Sequence, residues 1–180
     1  VDVRSLIIPA PKKKFAVVDF SQIECRVIFY LANDEAFLEE CKVKSPYQAH
    51  AELTMGWDGG ALKKEDPELY QLAKARLLGL GFGCGAAKFV DVARIMAGLV
   101  ITPAEADQCV RDYRESNPKI TRLWAQLNDS YKRSLHDNYE VELPSSRCLN
   151  YYGVTREPGK KFGYEYKSST SMSGNKYKFY

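Results

Sequence analysis

Two kinds of apolar pattern organise the chain. Phe15, Ala16, Val17 and Val18 form a short continuous apolar run that ends on β-branched residues, which predicts a buried strand. From Ser21 the spacing changes. Ile23, Val27, Ile28 and Leu31 recur at helical intervals, with Ser21 placed as N-cap and Glu24 as its capping-box partner. The strand thus delivers Asp19 to the rim of a sheet and turns at once into a helix. Residues 3–8 read as a further short strand, broken by Pro9 and Pro11. Lys12, Lys13 and Lys14 then form a solvated turn.

Helical patterns follow. Residues 34–41 predict a short amphipathic helix after the boundary at Asn33. Ser45 caps another, with Pro46 at its first position, that ends near Gly56. Asp66 and Pro67 open a third, predicted over residues 67–83. Residues 88–96 continue as helix to a stop at Gly98, and Thr102, Pro103 and Glu105 make a capping box before Ala106, Cys109, Val110 and Tyr113. After Asn117 and Pro118, a helix over residues 119–136 carries Ile120, Leu123, Trp124, Leu127, Tyr131 and Leu135 at core spacing, so Trp124 and His136 read as core and cap residues. From Tyr139 the period shortens to two, and two β-hairpins are predicted, the second around a Ser- and Gly-containing loop at 168–174.

Glycines 79, 81, 83 and 85 interrupt a strong helix former, and each costs about 1 kcal/mol against alanine inside a helix. They mark a place where backbone approaches something closely, or where the helix bends. Residues 81–86 also fit G-x-G-x-x-[GA]. A dinucleotide site needs a strand before that motif, whereas residues 72–78 favour helix, so this reading is set aside.

Composition narrows the class. A chain of 180 residues, 45% hydrophobic and 27% charged, is ordinary for a globular protein of one domain or one and a part. No apolar run approaches the length needed to span a membrane, and no signal-peptide pattern is present. The chain starts on Val1 and stops within a strand-like run at Tyr180, so it is expected to be a piece of a longer protein. The five cysteines form no C-x-x-C pair, and His50 and His136 lie far apart. Reduced thiols are therefore expected rather than a zinc site. Net charge is +3, and residues 156–180 hold six Lys/Arg against two Glu, which leaves the rest nearly neutral. Binding of nucleic acid would depend on individually placed cations rather than on a polycationic surface.

Two segments carry a resemblance. D-F-S-Q-I-E-C-R, residues 19–26, resembles motif A of the family A DNA polymerases, usually close to D-Y-S-Q-I-E-L-R. The helix from Pro67 resembles their motif B, roughly R-x-x-x-K-x-x-x-[FY]-G-x-x-[YF]-G, with Lys74, Leu78, Gly79, Phe82 and Gly83 at matching positions. Spacing alone puts Lys74, Leu78 and Phe82 on one helix face. Tyr70 stands where the family often has arginine, which contacts phosphate, and Leu78 where it has an aromatic ring, which contacts the sugar. The form L-G-L-G-F-G-C-G looks like the phage-type branch. Arg147 matches the arginine of a third, weaker segment in the first hairpin.

The resemblance implies an α+β fold. Palm strands and motif A would occupy residues 1–32, helical fingers 33–137, and a hairpin segment leading back to an antiparallel palm sheet 138–180. It implies template-directed addition of deoxynucleotides to primer-template DNA with Mg²⁺, in the cytoplasm of a bacterial or phage-infected cell and without a membrane partner. Asp19 would bind the metal with the Phe20 carbonyl, and Lys74 would hold the triphosphate. Glu24 would pack against the sugar and exclude a 2′-hydroxyl, and Phe82 would stack at the template base. Gln22, Tyr47, Leu78 and Arg147 would make further contacts to nucleotide or template. The family's second catalytic carboxylate, from a later H-D-E turn, has no counterpart here, so the fragment is expected to need the remainder of the polymerase chain for activity. Two other readings are a single-subunit RNA polymerase, opposed by Glu24, and a non-catalytic DNA-binding module that has kept the fold.

Overall fold

The computed structural model describes residues 6–133, 135, 139–144, 146, 148–158, 164–170 and 178–179. Among them the chain is mainly helical. The α-helices are α1 (Ile23–Leu31), α2 (Glu35–Val43), α3 (Pro46–Thr54), α4 (Leu62–Glu65), α5 (Pro67–Gly79), α6 (Ala86–Ala97), α7 (Pro103–Ser116) and α8 (Pro118–Arg133). The strands β1 (Tyr139–Glu142), β2 (Cys148–Pro158), β3 (Tyr164–Thr170) and β4 (Lys178–Phe179) pair in chain order as an antiparallel meander, with Tyr139 opposite Tyr151 and Tyr166 opposite Phe179. None of the helices among the described residues is long and apolar enough to cross a membrane.

Local chemistry explains most helix boundaries. Ser45 accepts a hydrogen bond from the Gln48 amide at 3.2 Å, and Asp66 accepts one from Leu69 at 2.9 Å, each with proline at the first helical position. Thr102 and Glu105 close the predicted box reciprocally: the Glu105 amide donates to Thr102 Oγ1 at 3.2 Å, and the Thr102 amide donates to the Glu105 carboxylate at 2.7 Å. Helix α1 stops where Asn33 takes a left-handed φ of 54°, a conformation asparagine tolerates better than most residues.

The core lies among the helices. Phe29 of α1 stacks on Phe37 of α2 with ring centroids 3.6 Å apart. Ala73, Ala75 and Leu77 of α5 are buried with Phe89 of α6, Tyr113 of α7 and Ile120 of α8. Helix α5 is central, packed against α3, α6 and α1. Gly79 permits its approach to α6, since a Cβ there would stand 2.7 Å from Val92 Cγ1.

Four expectations are corrected. Residues 15–18 form no strand, and Val17 and Val18 are 91% and 92% exposed. Residues 6–8 are likewise not a strand, while 3–5 lie outside the described residues. A strand persists where a neighbour satisfies its backbone amides and carbonyls. Among the described residues the strands β1–β4 pair only with one another and offer no partner to this segment. The capping box at Ser21 also fails. The N-cap of α1 is Gln22, in the left-handed region at φ 53°, and no side chain caps the helix. Finally, the helix predicted over 67–83 is α-helical only to Gly79. It tightens to a 3₁₀ turn at Leu80–Phe82 and ends at Gly83, whose φ of 76° suits glycine.

Candidate functional site

Helix α1, the turn Gly81–Gly83 and helix α8 enclose an open cavity of about 880 Å³. Its walls are mostly apolar: Ile23 and Val27 from α1, Phe82 from the turn, Trp124 and Leu127 from α8. Among the described residues Glu24 is the only charged side chain on it, and no lysine or arginine lines it. The cavity therefore suits an uncharged, flat or apolar group and disfavours a phosphate. Phe82 reaches it because of the 3₁₀ turn. Three residues at 3.0 rather than 3.6 per turn rotate Phe82 by about 60° from the face it would share with Lys74 on an unbroken α-helix. Phe82 is accordingly 60% exposed.

The structure thus brings Glu24 and Phe82 together, although they come from separate motifs. Asp19, Phe20 and Lys74 do not line this cavity. Asp19 is exposed and has no hydrogen-bond or ion-pair partner among the described residues. Gln22, immediately before α1, turns the chain sharply with its left-handed backbone, which costs about 1–2 kcal/mol for a residue other than glycine. Lys74 is half-buried on α5 and also has no carboxylate partner, so its ammonium is available to an anionic ligand. Leu78 is half-buried against the core. Arg147 lies outside the described residues.

Tyr47 differs most from a ligand-contact reading. It is buried, edge-on to Tyr70 at 5.5 Å between ring centroids. Burial first, then the nearby Cys25, Tyr70 and Glu24, push its hydroxyl up to about 12. It is a neutral core ring close to Glu24. Arg76, two residues beyond Lys74, is only 5% exposed and so cannot replace the phosphate contact missing at Tyr70. Its buried neighbour His50 is pulled down to about 3, by burial and then by the Arg76 charge. Cys25, Cys41, Cys84 and Cys109 are free thiols, and burial pushes Cys25 up to about 12.

Mg²⁺ takes oxygen ligands, usually carboxylates with water and substrate phosphate. Among the described residues no three Asp, Glu, His or Cys side chains converge in a way that could hold a metal ion. Asp19 offers one carboxylate, so the described residues do not by themselves make a complete metal centre.

Trp124 and Tyr131 line the cavity from the core side of α8, where the periodicity places them: Tyr131 is buried and Trp124 packs against the core. Both are spaced to lie on the inner face of α8, and an aromatic pair seven residues apart on an amphipathic helix is the only signal that could have marked them.

Comparison with known proteins follows the same segments. Residues 1–147 match the model of DNA polymerase family A. The chain is 29% identical over 181 aligned positions to a DNA polymerase of Bacillus phage SP02, covering 91% of this chain and 28% of that protein. It is 30% identical over 142 positions to DNA polymerase I of Aquifex aeolicus (strain VF5), covering 78% of this chain and 24% of that protein. The chain therefore spans about a quarter of the length of the curated relatives it matches.

Proposed function

We propose, from the premise that this chain belongs to DNA polymerase family A, that it forms the fingers and part of the palm of a template-directed DNA polymerase. The observation that carries the reading is the shared cavity of Glu24 and Phe82, which joins motif A to the end of the motif B helix. The sugar and base of a nucleotide fit there, and the triphosphate lies outside, because the cavity has a carboxylate and no cation. Lys74, with no acidic partner among the described residues, neutralises charge on the triphosphate as it develops. Glu24 leaves no room for a 2′-hydroxyl. Gln22, Tyr47 and Leu78 act mainly by shaping the ground around Glu24 and Phe82, with Arg147 a further contact.

Asp19, with the Phe20 carbonyl, is the candidate ligand for Mg²⁺, and the other carboxylates must come from outside the described residues. The exposed apolar run 15–18 supports a neighbouring palm strand in the complete protein, which would cover Val17 and Val18. The 180-residue chain alone is thus expected not to extend a primer, and a primer-extension assay with Mg²⁺ checks this. The phage-type branch is favoured by L-G-L-G-F-G-C-G and by the broader coverage of the SP02 relative.

Glu24→Ala in the complete protein tests the reading. Removing the side chain opens the cavity where a 2′-hydroxyl would sit. Discrimination of dNTP over rNTP, measured as the ratio of kcat/KM values, is expected to fall about 10- to 200-fold. An unchanged ratio would count against a sugar site at Glu24. A wild-type protein that prefers rNTPs would instead favour the RNA polymerase reading.

A further inference from the structure

We infer that Trp124, on α8 and outside both motifs, is the base-stacking wall of the cavity and sets how tightly a nucleobase is held there. The inference rests on the nucleotide reading of Glu24 and Phe82 and adds a residue to it. Three observations lead to it. Trp124 is half-buried and lines the same cavity as Glu24 and Phe82. Its indole sits under the end of the motif B helix, because a Cβ on Gly83 would stand 3.9 Å from Trp124 Cε2. Among the described residues the walls around it carry no cation, and Glu24 is their single charge.

These features select the ligand class. A phosphate is repelled by Glu24 and finds no donor cation, whereas a neutral heterocycle gains dispersion contact on an aromatic wall. Stacking of a base on an aromatic side chain is tolerant of base identity and is strong enough to matter for affinity. Helix α8 is anchored by Ile120 and Leu123 in the core, so the indole is held on a rigid element. Trp124 also supplies aromatic surface on a side of the cavity distinct from motif B, where Leu78 stands in place of a ring.

The base could belong to the incoming nucleotide or to an unpaired template strand, and the test separates the two. In the complete polymerase, Trp124→Leu keeps apolar bulk and removes the stacking face, while Trp124→Phe keeps an aromatic face. The leucine variant is expected to raise either KM for dNTP or Kd for a primer-template with a single-stranded overhang about tenfold, with a smaller change in kcat. The first result assigns the incoming base and the second the template base. The phenylalanine variant is expected to stay within about threefold of wild type on both readouts. A packing role alone would lower thermal stability and leave KM and Kd unchanged, and that outcome overturns the inference. Should the leucine variant fail to fold, Trp124→Met makes the same comparison with unbranched bulk. If Glu24→Ala alters sugar discrimination while both Trp124 readouts stay flat, only this inference fails. If Glu24→Ala also leaves discrimination unchanged, the nucleotide reading itself fails.

Discussion

Replacing Asp19 by alanine in the complete protein is expected to lower primer extension on the order of 10³-fold or more, with little change in stability. The two halves of that expectation have separate grounds. Asp19 is exposed, sits on a segment outside the helices and sheet, and has no partner among the described residues. Surface substitutions of that kind change folding free energy by about 0.5 kcal/mol or less. A large loss of activity would therefore be chemical. It would follow from the loss of a candidate metal ligand at the head of α1. The left-handed turn at Gln22 aims the chain there at a conformational cost that a plain loop would not carry. Steady-state extension rates beside thermal unfolding curves separate the two effects. A variant that unfolds as the wild type does and still extends primers at full rate would favour the non-catalytic DNA-binding module.

The local caps were legible in the sequence, and the surroundings of the candidate site were not. Caps at Ser45, Asp66 and Thr102 are local, short-range hydrogen bonds, and each is found where the residues predict it. The Ser21 cap is equally local in its pattern, yet a backbone turn at Gln22 displaces it. The strand at 15–18 failed because a strand is not a local object. Its residues have the right propensity, but their stability depends on a neighbour elsewhere. The site shows the same division. Glu24 and Phe82 were each expected as nucleotide contacts, and the structure places both on one cavity. Their convergence depends on a 3₁₀ turn and on α8, neither of which the motif spacing encodes. Trp124 stayed hidden because an aromatic residue at core spacing looks the same whether the space beside it is filled or open.

Arg76→Met is expected to raise the unfolding free energy by about 1–4 kcal/mol, the range seen when buried charges give way to apolar residues of similar volume. Arg76 on α5 is 5% exposed, and its Nε and Nη2 atoms have no hydrogen-bond partner among the described residues. Asp112 is the charged group that attracts it, while burial keeps the neighbouring Cys109 thiol and the Tyr113 hydroxyl, itself unsatisfied among the described residues, neutral. None of them bonds to it, and Asp112 instead accepts from Gln108 at 2.6 Å. Desolvation therefore outweighs attraction and pulls the guanidinium pKa down. Methionine keeps the unbranched stem and removes the charge, so packing is retained while the desolvation penalty is lifted. Arg76→Lys keeps a buried cation and is expected to give no such gain. The pH dependence offers an internal check. His50 has a folded pKa near 3 against an ordinary 6.5, so the unfolded chain binds the extra proton. Stability is then full above about 6.5 and is lost as pH falls toward 3. Burial is the larger cause of that shift and Arg76 the smaller, so in the methionine variant the acid loss should shrink slightly and persist. Thermal unfolding of wild type and both variants at pH 5 and pH 7.5 measures each part. A methionine variant less stable than wild type would mean that the guanidinium is held by buried water, which the apolar side chain cannot replace.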